Sequence, residues 1–347
     1  MESKSPCATI IIPVYRDAES VLRCLDAILH QETDRCLETI VVDDGSKDDT
    51  VSIIENWIAD HATPDRIVRT LAQDHAGPAV ARNRGAKEAT GPILLFTDAD
   101  CEPHADWVER MLAPFEDPAV QGVKGAYETR QTSWVARLVQ VEYEEKYIRM
   151  AQFDSIDFID TYSAGFRRDV FLSLGGFDEG FPTASVEDQE FSFRLAEHGY
   201  RMVFVPDARV VHRHAETLSH YIRKKFRIAY YKSYLLVRHP GRVKGDTHTP
   251  PTLIAQIPLT YGLLGFLVAI PFWSPSWWFC ILFAAANLAC MSGTLRLCRD
   301  RASDLTARVP LLLAARSLAL GAGLISGTIR FRMGKTGAAP DRSTEES

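Results

Sequence analysis

The sequence predicts an α/β fold, a mostly parallel sheet flanked by helices, followed by C-terminal transmembrane helices. Three observations predict it. Up to Asp100, short apolar runs alternate with amphipathic stretches, the β-α-β-α pattern of a parallel sheet with covering helices. Two of the runs end in acidic clusters, VVDDGSKDDT (41–50) and ILLFTDAD (93–100), and α/β sheets bind ligands beyond the carboxyl ends of their strands. Near residue 250 the composition changes. The stretches 253–272 and 277–297 carry no ionised side chain except at their ends, and each has the roughly 20 residues a helix needs to cross a bilayer.

ATIIIPVY (8–15) reads as the first strand. A helix over 20–30 places Val21, Leu22, Leu25, Ile28 and Leu29 on one face. LETIVVDDGS (37–46) is the second strand with its loop, and Ser46 or Asp48 can cap a helix over 51–59. DRIVRTLAQ (65–73) is the third strand. GPAVARNRGAKEAT (77–90) is a helix opened by Gly77-Pro78, and ILLFTDAD is the fourth strand. The stretch 120–206 is mixed: a helix over 133–149, a short helix and a Gly-Gly break within 161–181, a helix over 185–198, and the strand YRMVFVP (200–206). A long basic and aromatic helix, 217–238, leads to the membrane region.

The net charge of -6 argues against a partner that presents a nucleic-acid backbone. The seven cysteines have no CxxC spacing, so they read as reduced thiols rather than as a disulfide or zinc framework. MESKSPCATIIIPVY lacks the apolar core of a signal peptide, which places the first domain in the cytosol. Trp273, Trp277 and Trp278 flank the link between the two apolar stretches, as interfacial aromatics do. The basic link RLCRDRASDLTAR (296–308) belongs inside by the positive-inside rule, and so does the basic RFRMGK (330–335). A third span over 309–329 would put the latter outside. The favoured reading is therefore two spans plus an interfacial or half-inserted helix, with a third span as the alternative.

Several groups carry chemistry. Asp98 and Asp100 offer hard oxygen ligands for Mn2+ or Mg2+ at a strand end, on one side if the strand continues. Asp43 and Asp44 precede Gly45 and can accept from base N–H or ribose hydroxyl groups. Gly77 at a helix start with Arg82 nearby suits a pyrophosphate. Glu187-Asp188 opens a helix whose apolar face is Phe191, Phe193 and Leu195. A neighbouring carboxylate raises one pKa of such a pair towards the range of a general base. His212 and His214 follow the last strand.

The order IIIPVY, VVDDGSKDDT, AVARNRGAKEATGPILLFTDAD, YSAGFRRDVFLSLGGFDEGF and EDQEFSFRLAEHGY resembles the membrane-anchored bacterial family 2 glycosyltransferases of GT-A fold, over residues 9–214. The resemblance implies that Pro13, Tyr15 and Asp17 hold the nucleotide base, and that Asp43 and Asp44 contact uracil or ribose. Gly77, Arg82 and Asn83 match the family's GxxxARNxG pattern, which serves the diphosphate. Asp98-Ala99-Asp100 is its DXD motif, with Asp98 towards the ribose and the metal, Asp100 on the metal and His212 as a third ligand. Asp188 is its general base, and Glu187 orients the acceptor. The implied protein is a metal-dependent, inverting enzyme of the inner (plasma) membrane. It would move a sugar from a nucleoside diphosphate sugar, UDP by default, to a hydroxyl of a lipid, lipid-linked or glycan acceptor at the cytosolic face. The alternatives are a polyprenyl-phosphate glycosyltransferase and a non-catalytic sugar-nucleotide-binding membrane protein. A phosphatase reading of LLFTDAD fails because Glu102 stands where that chemistry wants Thr or Val. No QxxRW string supports processive synthesis. The domain plan is a GT-A domain over 1–215, a basic amphipathic segment over 216–250, a membrane region over 251–330 and a polar tail over 331–347.

Overall fold

The computed structural model describes residues 5–181, 185–239, 241 and 246–333. The polar tail beyond Met333, and 240 and 242–245 of the basic segment, lie outside the described residues. The chain forms two compact units, one from Met1–Arg130 and Phe153–Arg213, the other from Gln131–Gln152 and His214–Gly337.

The first unit is built on eight strands: β1 (Ala8–Val14), β2 (Leu37–Asp43), β3 (Arg66–Ala72), β4 (Ile93–Phe96), β5 (Cys101–Pro103), β6 (Val120–Glu128), β7 (Ala164–Arg167) and β8 (Arg201–His212). Their order in the sheet is β3-β2-β1-β4-β7-β6-β8-β5. The parallel block expected from the β-α alternation is β3-β2-β1-β4. Strand β7 then runs antiparallel to both β4 and β6, β8 is parallel to β6, and the short β5 closes the edge antiparallel to β8. Strand β2 is buried along its whole length, so its run Ile40-Val41-Val42 is apolar without alternation, while its buried Glu38 accepts from the Thr9 hydroxyl at 2.6 Å. Helices α1 (Ala18–Leu29), α2 (Thr50–His61), α3 (Pro78–Glu88), α4 (Trp107–Leu112), α6 (Arg168–Ser173) and α7 (Glu187–Glu197) belong to this unit. Phe96, Phe166, Phe171, Phe177 and Phe191 interlock in edge-on and tilted pairs, fixing α6 and α7 on the sheet.

Two sequence expectations change here. Strand β8 runs on to His212 because it pairs first with β6 and then with β5, so His212 is in the strand rather than after it. Strand β4 stops at Phe96, so Asp98 and Asp100 sit in a turn closed by the Cys101 N–H on the Asp98 carbonyl at 3.0 Å. Strand alternation therefore does not put the two carboxylates side by side.

The second unit is helical: α5 (Trp134–Met150), α8 (Leu218–Arg238), α9 (Pro251–Ala269), α10 (Ser276–Arg301) and α11 (Val309–Met333). The sequence plan put α5 in the first domain. Its buried Val135, Leu138, Val139 and Val141 instead share a core with Tyr221, Met291, Leu305 and Leu312. Three helical stretches, Pro251–Ala269, Ser276–Arg301 and Ser303–Phe331, are long and apolar enough to cross a membrane.

Candidate active site

The parallel strands β1, β2 and β4 end at one rim. Pro13 lies beyond the last β1–β4 pair, Ile11 with Phe96, so its missing N–H leaves no gap in that ladder. Tyr15, 40 % exposed, stacks on His75 with ring centroids 4.3 Å apart. The Arg16 guanidinium lies 5.0 Å from the Tyr15 ring centre. Asp17, assigned to the base from the sequence, caps α1 and accepts from the Ser20 N–H at 3.2 Å.

Asp43 and Asp44 are both buried, and loop amides use their acceptor capacity. Asp43 accepts from the N–H groups of Gly45 at 3.2 Å and Ser46 at 3.1 Å. Asp44 pins the segment before α3. Its Oδ1 accepts from Gln73 Nε2 at 2.7 Å and the Ala76 N–H at 2.9 Å, and its Oδ2 from the Gly77 N–H at 2.8 Å. His75 Nδ1 lies 3.0 Å from the same carboxylate. The pair thus shapes the loops, a structural duty that the sequence reading did not give it. Gly45 has φ 82°, and a Cβ there would lie 2.6 Å from the His75 backbone nitrogen.

Gly77 is the N-cap of α3 with φ 98°, and its amide is already given to Asp44 rather than left for a diphosphate. Arg82, one turn further on, is buried. Its Nη2 lies 2.7 Å from Asp98 Oδ1 and its Nη1 lies 3.3 Å from Glu187 Oε1. Its Nε is buried and has no partner among the described residues. Asn83 serves the fold: its Nδ2 donates to the Phe177 carbonyl at 2.8 Å and its Oδ1 accepts from the Phe177 N–H at 2.8 Å. That clamp holds the Gly-Gly break, where Gly176 has φ 70°. The sequence reading had placed Asn83 on the nucleotide.

The predicted metal trio divides. Asp98 belongs to Arg82. Asp100 Oδ1 lies 3.4 Å from His212 Nδ1, because the β5–β8 register sets Cys101 opposite His212. Cys101 Sγ is 3.6 Å from the same ring nitrogen, and Asp100, Cys101 and His212 form a cluster of metal-ligating type. Burial, reinforced by the charges of Asp100 and Asp98, pushes the Cys101 thiol well above its ordinary range. A protonated thiol is a poor ligand for a hard cation, so Asp100 and His212 are the donors that fit Mn2+ or Mg2+. His214 lies in the other unit, with Nε2 2.9 Å from Gln140 Oε1.

Asp188 is the second residue of α7, and its Oδ1 accepts from the Gln189 N–H at 2.7 Å. Burial, with the charge of Glu187 second, pushes its carboxyl up to about 7. Glu187 has its two oxygens on Arg82 and on the Ser185 N–H at 2.7 Å, so it holds the arginine rather than facing an acceptor. The sequence reading missed His75, Tyr162 and Lys124. Tyr162 stacks near His212, with centroids 6.2 Å apart, and buried Lys124 donates to its hydroxyl at 2.7 Å while pairing with Asp160. The available signal was a lone lysine inside the apolar strand VQGVKGAYE.

Comparison with known proteins identifies the family and the fold. The profile described as "Glycosyl transferase family 2" matches residues 9–175, and "Glycosyl transferase family group 2" matches residues 93–293. The glycosyltransferase AglE of Haloferax volcanii is 29 % identical over 66 % of this chain and 73 % of its own length. An N-acetylglucosaminyltransferase of Rhizobium sp. (strain N33) is 29 % identical over 65 % of this chain. The pre-mycofactocin glycosyltransferase of Mycobacterium tuberculosis is 27 % identical over 73 % of it. The chain spans about half the length of the latter two, 52 % and 53 %. Among solved structures, the mannosyltransferase PcManGT from Pyrobaculum calidifontis, in complex with GDP-Man and Mn2+, shares the fold. Its TM-score is 0.59 at 23 % identity, with 96 % of this chain and 89 % of that one covered. The profiles, the sheet order and the acidic rim together establish that this chain belongs to the family 2 glycosyltransferases.

Proposed function

We propose that this chain is a membrane-anchored, inverting glycosyltransferase. It moves a sugar from a nucleoside diphosphate sugar, read as a UDP-sugar, to a hydroxyl of a lipid, lipid-linked or glycan acceptor at the cytosolic membrane face. The observation that carries the reading is Asp188. Burial and the charge of Glu187 push its carboxyl up to about 7, and it follows, on the same helix, the Glu187 that pairs with the buried Arg82 holding Asp98. Direct displacement at the anomeric carbon needs a group to take the acceptor hydroxyl's proton, and a base poised near the working pH does this best.

Asp100 and His212 are the residues that would hold Mn2+ or Mg2+, which supplies Lewis-acid charge neutralisation on the departing diphosphate when bound. The PcManGT complex with GDP-Man and Mn2+ supports a sugar-nucleotide donor and a divalent cation, and it keeps GDP open as the base. The exposed Tyr15–His75 stack beside Asp44 offers an aromatic face on which a nucleotide base can lie. The apolar helices α9 and α10 support membrane anchoring.

The test is a panel of UDP- and GDP-sugars with Mn2+ and a membrane lipid extract, read by product mass and by the anomeric configuration of the product. Transfer with inversion that Asp188→Asn abolishes supports the reading. Transfer unchanged in Asp188→Asn would point to an acceptor oxygen that is already anionic, such as a polyprenyl phosphate, and would remove the hydroxyl assignment.

A further inference from the structure

The helical unit contains a buried charge cluster that the transfer chemistry does not use. Glu142 on α5 is 2 % exposed and lies at its centre. Arg316 Nη1 of α11 is 2.5 Å from Glu142 Oε1, the Tyr221 hydroxyl is 2.9 Å from both carboxylate oxygens, and Lys225 Nζ is 3.5 Å from Oε2. Lys146, one turn along α5, lies 3.1 Å from His248 Nε2. Arg316 Nη2 donates to Gln256 of α9 at 2.6 Å, and its Nε is buried with no partner among the described residues.

The charges do not balance. Lys146, Lys225 and Arg316 all act on Glu142, and the neighbouring carboxylate, Asp246, is held by Lys232 at 3.2 Å. Among the described residues, four basic side chains therefore face two carboxylates. Against the effect of burial, Lys225, Arg316 and Lys146 hold the Glu142 carboxyl down to about 2. Burial, with Lys225 second, drops Lys146 to about 7. Excess buried positive charge is costly unless an anion meets it.

The depth of the cluster narrows the choice of anion. Gln256 is five residues into α9, about 8 Å from its start at 1.5 Å per residue, at the end of that helix opposite the Trp-rich link. The 19 residues of α9 make it about as long as the hydrocarbon core is thick, so the cluster lies towards one membrane surface rather than at the midplane. Helix α8, which supplies Tyr221 and Lys225, is basic and aromatic along its length.

We infer that the side chains of Arg316, Lys225 and Lys146 form a site for the phosphate of a membrane lipid headgroup. The inference does not depend on the identity of the glycosyl donor or acceptor.

The experiment uses the full chain in neutral maltoside micelles. Phosphatidic acid, uncharged diacylglycerol or inorganic phosphate is added, and bound adducts are read by native mass spectrometry. Phosphatidic acid is expected to be retained at least tenfold more strongly than diacylglycerol or inorganic phosphate, and Lys225→Gln and Arg316→Gln each weaken it about tenfold. Glu142→Gln keeps every cation and removes a competing carboxylate. It is expected to bind phosphatidic acid at least as tightly as the parent, and it serves as the test should Arg316→Gln fail to fold. Equal retention of phosphatidic acid and diacylglycerol would overturn the site. So would retention of inorganic phosphate equal to that of phosphatidic acid, which would make the anion a free one, or weakened binding in Glu142→Gln.

Discussion

Arg82 and Glu187 are 105 residues apart in the chain and 3.3 Å apart in space, and both are about 3 % exposed. The same guanidinium holds Asp98, so one arginine joins the acidic turn after β4 to the start of α7. Arg82→Met would leave Glu187 buried without its counter-charge, at a cost of about 3–5 kcal/mol. Thermal unfolding should show this as a lowered Tm. Adding Glu187→Gln to Arg82→Met should recover part of the loss. Two independent, additive losses would refute the pairing.

The sequence made this rim legible because parallel strands advertise themselves as apolar runs, with their loops at one end. Asp98, Asp100, Asp188 and His212 could be named before any geometry. The partners of each carboxylate could not. Asp44, Asp17 and Asn83 carry the same side-chain chemistry whether they bind a ligand or a backbone amide, and only the fold shows that they bind amides. Strand β5 escaped notice because its three residues, Cys-Glu-Pro, have no periodicity, yet its register with β8 is what sets His212 against Asp100.

Asp188 makes opposite demands on activity and stability. Its folded pKa of about 7 lies above its ordinary value of 3.8, so the folded state binds the proton more tightly than the unfolded chain does. Its contribution to stability is therefore full below about pH 4 and is lost as the pH rises through 7. Activity runs the other way, because the base must be ionised. The rate should rise with pH around an apparent pKa near 7. Asp188→Asn should lose about 10²–10⁴ in rate while melting higher than the parent at pH 8. A variant that melts lower at pH 8 would contradict the burial penalty.

The metal reading separates His212 from Cys101, although both lie beside Asp100. His212→Ala should weaken Mn2+ binding at least tenfold, followed by titration of the free-ion electron paramagnetic resonance signal. Cys101→Ala should leave the Mn2+ affinity within about twofold, since a soft sulfur donor suits Mn2+ less than the carboxylate and imidazole beside it. An equal loss in both variants would make the sulfur a ligand.

Asn83 and Gly176 form one clamp. Gly176 has φ 70°, and an added Cβ would run into Asn83 Oδ1. Gly176→Ala is therefore strained twice, in backbone and in contact, and should cost about 1–3 kcal/mol. Asn83→Ala frees the Phe177 N–H and carbonyl and should cost a similar amount. The double variant should lose less than the sum, because the second change removes the atom that the first one strikes. Denaturant titration of the four proteins tests this.

The fate of α11 follows from its neighbour. Gly323 lies against the α8 backbone at Phe226, Gly327 lies against Tyr230 and Ser233, and Phe331 contacts the rings of Tyr230 and Tyr234. Helix α11 therefore runs beside α8 towards its C-terminal end, through small residues that allow close approach. Helix α8 carries Arg223, Lys224, Lys225, Arg227, Lys232 and Arg238, too many charges for a span. A helix bound to it along this length is expected to stay at the interface with it, although its own composition would allow crossing. A tag at the C-terminus should then be labelled from the same side of the membrane as a cysteine probe placed in the 296–308 link. Labelling of the two from opposite sides would make α11 a third span and would require α8 to leave it.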